Sequence, residues 1–284
     1  MEEFLNGFKI WTKKLNTIVD GARVYYRNVN FNTLNRSKNR MIRVYLPSSY
    51  DFANPDNRFP VLYMMDGKNL FDDYTSFVGE WGIDETIEEM IYKGETKGII
   101  VVGIDAPKLG RDRTLEMFPE DVVPTKESKI TQRGYANFLG DFIFKELKPL
   151  IDSTFYTLTD KSHTAVGGSS MGGLMAFYLA TNYSNHVGYS LAFSPAFFLL
   201  EDKSLDRFLL EKVNRSVGKI YFYVGGEGFE SLFVDTTFKA YQYMKDFGFS
   251  DDDIKIVYDQ SKEHNEKAWR IYFPDAIRFF NYFK

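Results

Sequence analysis

The sequence predicts an α/β protein: a three-layer α/β/α sandwich on a mostly parallel sheet, with an antiparallel β-ribbon near the amino terminus. Three observations carry this expectation. Short, nearly all-apolar runs recur at Pro60 to Met65, Gly98 to Ile104 and Lys219 to Val224, as strands buried on both faces of a parallel sheet require. Apolar residues at helical spacing lie between such runs, for example Ile83, Ile87, Met90 and Ile91. Finally, Thr164 to Ala180 (TAVGGSSMGGLMAFYLA) holds a short apolar strand, a glycine-flanked serine and an amphipathic helix in one stretch.

In chain order, Arg23 to Phe31 and Arg40 to Leu46 alternate well enough for a β-ribbon, joined by a polar turn over Thr33 to Asn39. The strand ending at Met65 runs into the turn Asp66-Gly67-Lys68-Asn69. Strand, helix and strand over Pro60 to Ile104 form a βαβ unit, whose crossover is expected to be right-handed. Asp105 to Arg133 is polar, carries Pro107, Pro119 and Pro124, and is too long for an ordinary connection. Because it leaves the carboxyl end of a strand, where open α/β sheets bind ligands, it is expected to be a lid or active-site loop. Tyr135 to Ile151 then reads as a long helix. After the serine stretch come a strand over Gly188 to Phe193, a ring-rich loop over Pro195 to Leu200, and the strand ending at Val224. A helix over Phe233 to Met244, a strand over Asp253 to Tyr258 and a final helix around Ile271 to Phe280 complete the pattern.

At 284 residues and 44% apolar composition the chain is expected to form one domain over residues 1–284, since no linker, repeat or charge block marks a boundary. A net charge of -4 argues against a nucleic-acid surface and leaves a small, weakly charged substrate as the partner. The absence of cysteine excludes disulfides, thiolate metal sites and a cysteine nucleophile. No metal or other cofactor is called for, and the sequence does not fix an oligomeric state. MEEFLNGFKIWTKK sustains no apolar h-region, so a cytoplasmic location is expected, and no run is long enough to span a membrane.

Gly168-Ser169-Ser170-Met171-Gly172 fits GxSxG, the nucleophile elbow in which a serine is held on a strained strand-to-helix turn. Ser170 is therefore the candidate nucleophile. A serine hydroxyl needs an adjacent base, itself oriented by a carboxylate. In this chain order the carboxylate and then the histidine follow the serine. Of the three histidines, His163 and His186 sit at strand starts, whereas His264 lies downstream after the last strand, so His264 is the base. The first carboxylate off the preceding strand, Glu227, is the expected acid, with Glu230 and Asp235 as alternatives that also suit the first turn of a helix. Backbone N–H groups of Met171, at the start of the elbow helix, and of Lys68, after an earlier strand, are the expected oxyanion donors.

These motifs resemble the esterase branch of the α/β-hydrolases that includes enterochelin esterases, feruloyl esterases, S-formylglutathione hydrolase and the mycolyltransferases. The matching pieces are Val44-Tyr45-Leu46-Pro47, Leu62 to Phe71, Glu80-Trp81-Gly82, Arg113 to Pro119, the elbow, and His264-Asn265-Glu266 with Trp269-Arg270. The resemblance implies an α/β-hydrolase fold, the Ser170, His264 and oxyanion roles above, and Asp66 and Trp81 on the substrate side of the pocket. Arg113, in the matching arginine segment, and Phe197, in the ring-rich loop, are further candidates for substrate contact. Two departures stand out. The family commonly carries Asp in the acid position or Glu one place later, and Met117-Phe118 stand where an aromatic and a threonine are usual. The expected activity is serine-dependent hydrolysis of small, aromatic-acyl, sugar or siderophore esters. An acyltransferase with the same residues and a catalytically inactive glycan-binding protein are the alternatives.

Overall fold

The computed structural model describes residues 5–11, 21–33, 36–76 and 78–281. Their contacts group the chain into two compact units, one of residues 1–107, 141–165 and 265–284, the other of 108–140 and 166–264.

In the first unit, β1 (Lys9–Ile10), β2 (Arg23–Thr33), β3 (Arg36–Leu46), β5 (Ile100–Ile104) and β4 (Val61–Met65) lie side by side in that order. The ribbon of β2 and β3 is antiparallel and runs from Arg23↔Leu46 to Thr33↔Arg36. It is longer than the alternation suggested, and residues 34–35, in the expected turn over Thr33 to Asn39, lie outside the described residues, as do 1–4 and 12–20 of the amino-terminal stretch. β3 meets β5 antiparallel, whereas β4 and β5 are parallel, pairing Val61↔Ile100 to Met65↔Ile104. Both parallel strands are buried throughout, which is why they read as unbroken apolar runs. Helix α1 (Ile83–Tyr92) connects them, burying Ile83, Ile87 and Met90.

The segment expected to be a loop over Asp105 to Arg133 contains a helix, α2 (Gly110–Met117), whose last turn buries Leu115, Glu116 and Met117. Polar residues fill most of α2, so no apolar stripe announces it. The long helix expected next is α3 (Ala136–Asp141), a π-helical turn (Phe142–Leu147) and α4 (Lys148–Thr154) in succession.

β6 (Thr164–Ser169) enters the second unit and leads into α5 (Met171–Asn182). There the strand order is β6, β7 (Tyr189–Phe193), β8 (Lys219–Gly225) and β9 (Ile254–Asp259). β7, β8 and β9 run parallel, so their carboxyl ends share one edge. Helix α6 (Asp202–Lys212), which the pattern reading missed, follows the ring-rich loop, and α7 (Ser231–Phe247) separates β8 from β9. The last helix, α8 (Glu266–Phe280), is capped by the Asn265 side chain, which accepts from the N–H of Ala268. Among the described residues, no helix is long and apolar enough to cross a membrane.

Candidate active site

Ser170 stands between β6 and α5 at φ 59°, ψ -120°, in the left-hand half of backbone space that L-residues rarely occupy. Close packing holds it there. A Cβ on Gly168 would lie 2.8 Å from the backbone of Gly172, and one on Gly173 would lie 2.4 Å from the carbonyl oxygen of Phe193. Only glycine fits either place, so the start of α5 presses against the end of β7. The turn is also bonded to that strand: the N–H of Ser170 donates to Phe193 O at 3.0 Å, and the N–H of Ala196 donates to Ser170 O at 3.1 Å.

His264 follows β9 and Glu230 follows β8, two strands whose ends share an edge. Nδ1 of His264 is hydrogen-bonded to Oε2 of Glu230. The other carboxyl oxygen, Oε1, accepts from the Ser194 hydroxyl and from the N–H of Gly225 at 2.9 Å. The glutamate is fully buried. A buried carboxylate with donors on both oxygens is the partner that fixes a histidine's tautomer and leaves its other nitrogen for chemistry. The imidazole is stacked at 4.4 Å on the ring of Phe233 and meets Phe229 edge-on at 5.4 Å. Phe198 in turn contacts both rings, at 4.6 Å and 6.1 Å.

The carboxylate that the structure brings to His264 is Glu230, the first alternative, and not the expected Glu227. Glu227 is exposed, directly beyond the strand. A single 3-10 turn, Gly228–Glu230, with Gly228 at φ 60°, then turns the chain back so that the third residue along points inward. The other alternative, Asp235, lies within α7.

Other expected site residues take varied positions. Met171 is the first residue of α5. Phe197 is fully buried with its ring edge-on to Phe177 at 5.0 Å, so the ring of this loop that joins the aromatic group at His264 is Phe198. Arg113 is half-buried on α2. In the first unit, Lys68 belongs to the 3-10 turn Gly67–Asn69, with its side chain exposed, and Asp66 precedes that turn at φ 58°. Trp81 is 2% exposed, stacked on Trp269 at 5.6 Å and edge-on to Phe273 at 6.2 Å, so it is a core ring of that unit.

The only group of three acids with converging oxygens among the described residues is Glu80, Asp84 and Glu85, whose ligand atoms lie within 4.8 Å of one another. Burial, and then the charge of Glu85, pushes the Asp84 carboxyl up to about 9. Arg270 reaches Glu85 Oε1 at 3.4 Å and Glu80 Oε1 at 4.0 Å, so a cation bound there would compete with a guanidinium already in place.

The family model described as "Putative esterase" matches residues 33–280. An uncharacterized Bacillus subtilis (strain 168) protein, YbbA, is 19% identical over 85% of this chain and 92% of its own length. Among solved structures, a ferulic acid esterase superposes with a TM-score of 0.65 at 18% identity, covering 93% of this chain and 99% of its own. The enterobactin esterase FES from Shigella flexneri gives a TM-score of 0.63 at 16% identity over 90% of this chain and 58% of its own. These likenesses establish a three-layer α/β/α fold of the α/β-hydrolase type, with a mixed, mostly parallel sheet. With the family model spanning nearly the whole sequence, the chain belongs to this esterase family and is an enzyme of the carboxylesterase class.

Proposed function

We propose that the protein hydrolyses a carboxylic ester through an acyl-enzyme, with Ser170 as nucleophile, His264 as base and Glu230 as the carboxylate that orients it. The observation that carries this reading is the buried Glu230 bonded to half-buried His264, on the strand edge to which the strained Ser170 turn is bonded through Phe193 and Ala196. Ser170 Oγ attacks the ester carbonyl carbon while its proton passes to Nε2 of His264. The N–H of Met171, at the dipole-positive start of α5, donates to the oxyanion. The sequence assigns the second donor to the amide of Lys68. His264 returns the proton to the departing alkoxide, and water, deprotonated by the same imidazole, then releases the acid and restores the hydroxyl.

The proposed substrates are small, aromatic-acyl, sugar or siderophore esters. Support comes from the rings of Phe198, Phe229 and Phe233 gathered at His264, and from the names of the ferulic acid and enterobactin esterases that share the fold. Segment 105–133 is the proposed lid. Glu120 accepts from the Tyr178 hydroxyl of α5 at 2.9 Å and so ties the segment to the elbow helix. Shortening the segment is expected to change acyl-chain preference. One domain over 1–284 is proposed from the breadth of the family match, and one cooperative unfolding transition is the result expected of it.

The test is hydrolysis of p-nitrophenyl acetate, p-nitrophenyl butyrate and methyl ferulate by wild type and Ser170→Ala. The proposal predicts turnover of at least one ester by wild type and loss of that turnover in the variant. Full activity in Ser170→Ala would refute it, and transfer of the acyl group to an added sugar would move the assignment to an acyltransferase.

A further inference from the structure

Two non-glycine residues of the second unit with positive φ meet at the end of β7: Ser170 at 59° and Ser194 at 42°. The first is explained by the nucleophile's turn. The second directly follows β7, is fully buried, and belongs to no step described so far. Its N–H donates to Tyr223 O of β8 at 2.6 Å, and its hydroxyl donates to Oε1 of Glu230. A serine in ordinary strand geometry would continue the alternation of β7 and direct its side chain along a face of the sheet. The left-handed kink turns the hydroxyl toward the carboxylate at the strand edge. Strain of this kind persists only where surrounding bonds over-determine it, as the Ser194–Tyr223 and Ala196–Ser170 bonds do here.

We propose that Ser194 is a positioning residue of the active site, acting through Glu230 on His264. The inference rests on the triad reading above. Oε1 of Glu230 is held from two directions, by the Gly225 N–H and by the Ser194 hydroxyl, while Oε2 faces the imidazole. A carboxyl group rotates about its last torsion over a broad, shallow profile, so one donor leaves its plane loosely defined. Two donors on Oε1 fix that plane and hold Oε2 opposite Nδ1. The same hydroxyl supplies the buried carboxylate with a donor that the apolar surroundings do not provide. Because Ser194 and Ser170 flank the same Phe193 peptide and Pro195-Ala196 turn, the kink that aims one serine at the acid is continuous with the turn that presents the nucleophile.

The experiment is a double-mutant cycle on the full chain: wild type, Ser194→Ala, Glu230→Ala and the double variant, with kcat and KM for p-nitrophenyl butyrate. The expected result is a roughly tenfold fall in kcat for Ser194→Ala with KM changed less than about twofold, and less than about twofold further loss when Glu230 is already absent. Ser194→Gly runs through the same cycle. It lacks the hydroxyl but accepts the left-handed backbone without steric cost, so it must lose kcat as Ser194→Ala does, and it decides the matter where the alanine variant is unstable. Wild-type kcat in Ser194→Gly, or an equal loss with and without Glu230, overturns the inference. Unchanged kcat in Glu230→Ala overturns the triad reading itself, which the Ser194 variants alone do not.

Discussion

Glu230 and Asp84 are both fully buried carboxyls, yet their surroundings are opposite. Glu230 faces donors: the Ser194 hydroxyl, the Gly225 N–H and the imidazole of His264. Asp84 faces acids, Glu85 and Glu80, and with burial as the largest cause its carboxyl is pushed up to about 9. Removing a carboxyl from water disfavours its charged form, and what it meets inside decides the outcome. Donors hold the Glu230 carboxyl against the imidazole, whereas burial, with neighbouring acids adding to it, keeps a proton on Asp84. Burial alone therefore does not single out a carboxyl for the proposed orienting role; the donors and the imidazole around Glu230 are what support that assignment.

Replacing each acid by its neutral isostere tests this contrast. Glu230→Gln keeps shape but removes the charge that orients His264 and stabilises its protonated form, so kcat for p-nitrophenyl butyrate should fall roughly 10³–10⁴-fold. A loss smaller than tenfold would erase the distinction between the two sites. Asp84→Asn should leave kcat within about twofold and act on stability instead. Folding raises the Asp84 carboxyl from an ordinary 3.8, so the folded state holds a proton that the unfolded chain releases. The wild type is therefore free of this cost below about pH 4 and loses stability as pH rises toward about 9. Asp84→Asn removes that slope, and urea denaturation should show it more stable than wild type at pH 8 but not at pH 4. An identical pH dependence would mean that Asp84 is not the proton holder. The smallest effect is expected at Glu227→Gln, whose exposed side chain should change kcat less than about twofold.

Local patterns single out Ser170 as the candidate nucleophile, since the elbow's tight turn demands glycines close to the serine, and the structure places it on such a turn. Chain order and the sheet edge of each strand end point to His264 as the candidate base, and the structure places it against a buried carboxylate. Which carboxylate meets that histidine was not legible, because Glu227 and Glu230 differ by one 3-10 turn, and a single left-handed glycine, Gly228, decides which of them points inward. For Trp81 and Phe197, composition shows that rings are plentiful, but only packing shows that these two are buried in core contacts. Helices α2 and α6 are largely polar on their exposed sides, so their periodicity is faint. Ser194 left one trace, a polar residue between a buried strand and Pro195, yet nothing local announces its positive φ.

The most direct test is the rate of covalent labelling by a fluorophosphonate, followed by intact mass, in wild type, Ser170→Ala, Glu230→Gln and Glu227→Gln. One adduct on wild type, none on Ser170→Ala, much slower labelling of Glu230→Gln and wild-type labelling of Glu227→Gln is the predicted outcome. Labelling that persists in Ser170→Ala, or that slows in Glu227→Gln but not in Glu230→Gln, would contradict the assignment of nucleophile or acid.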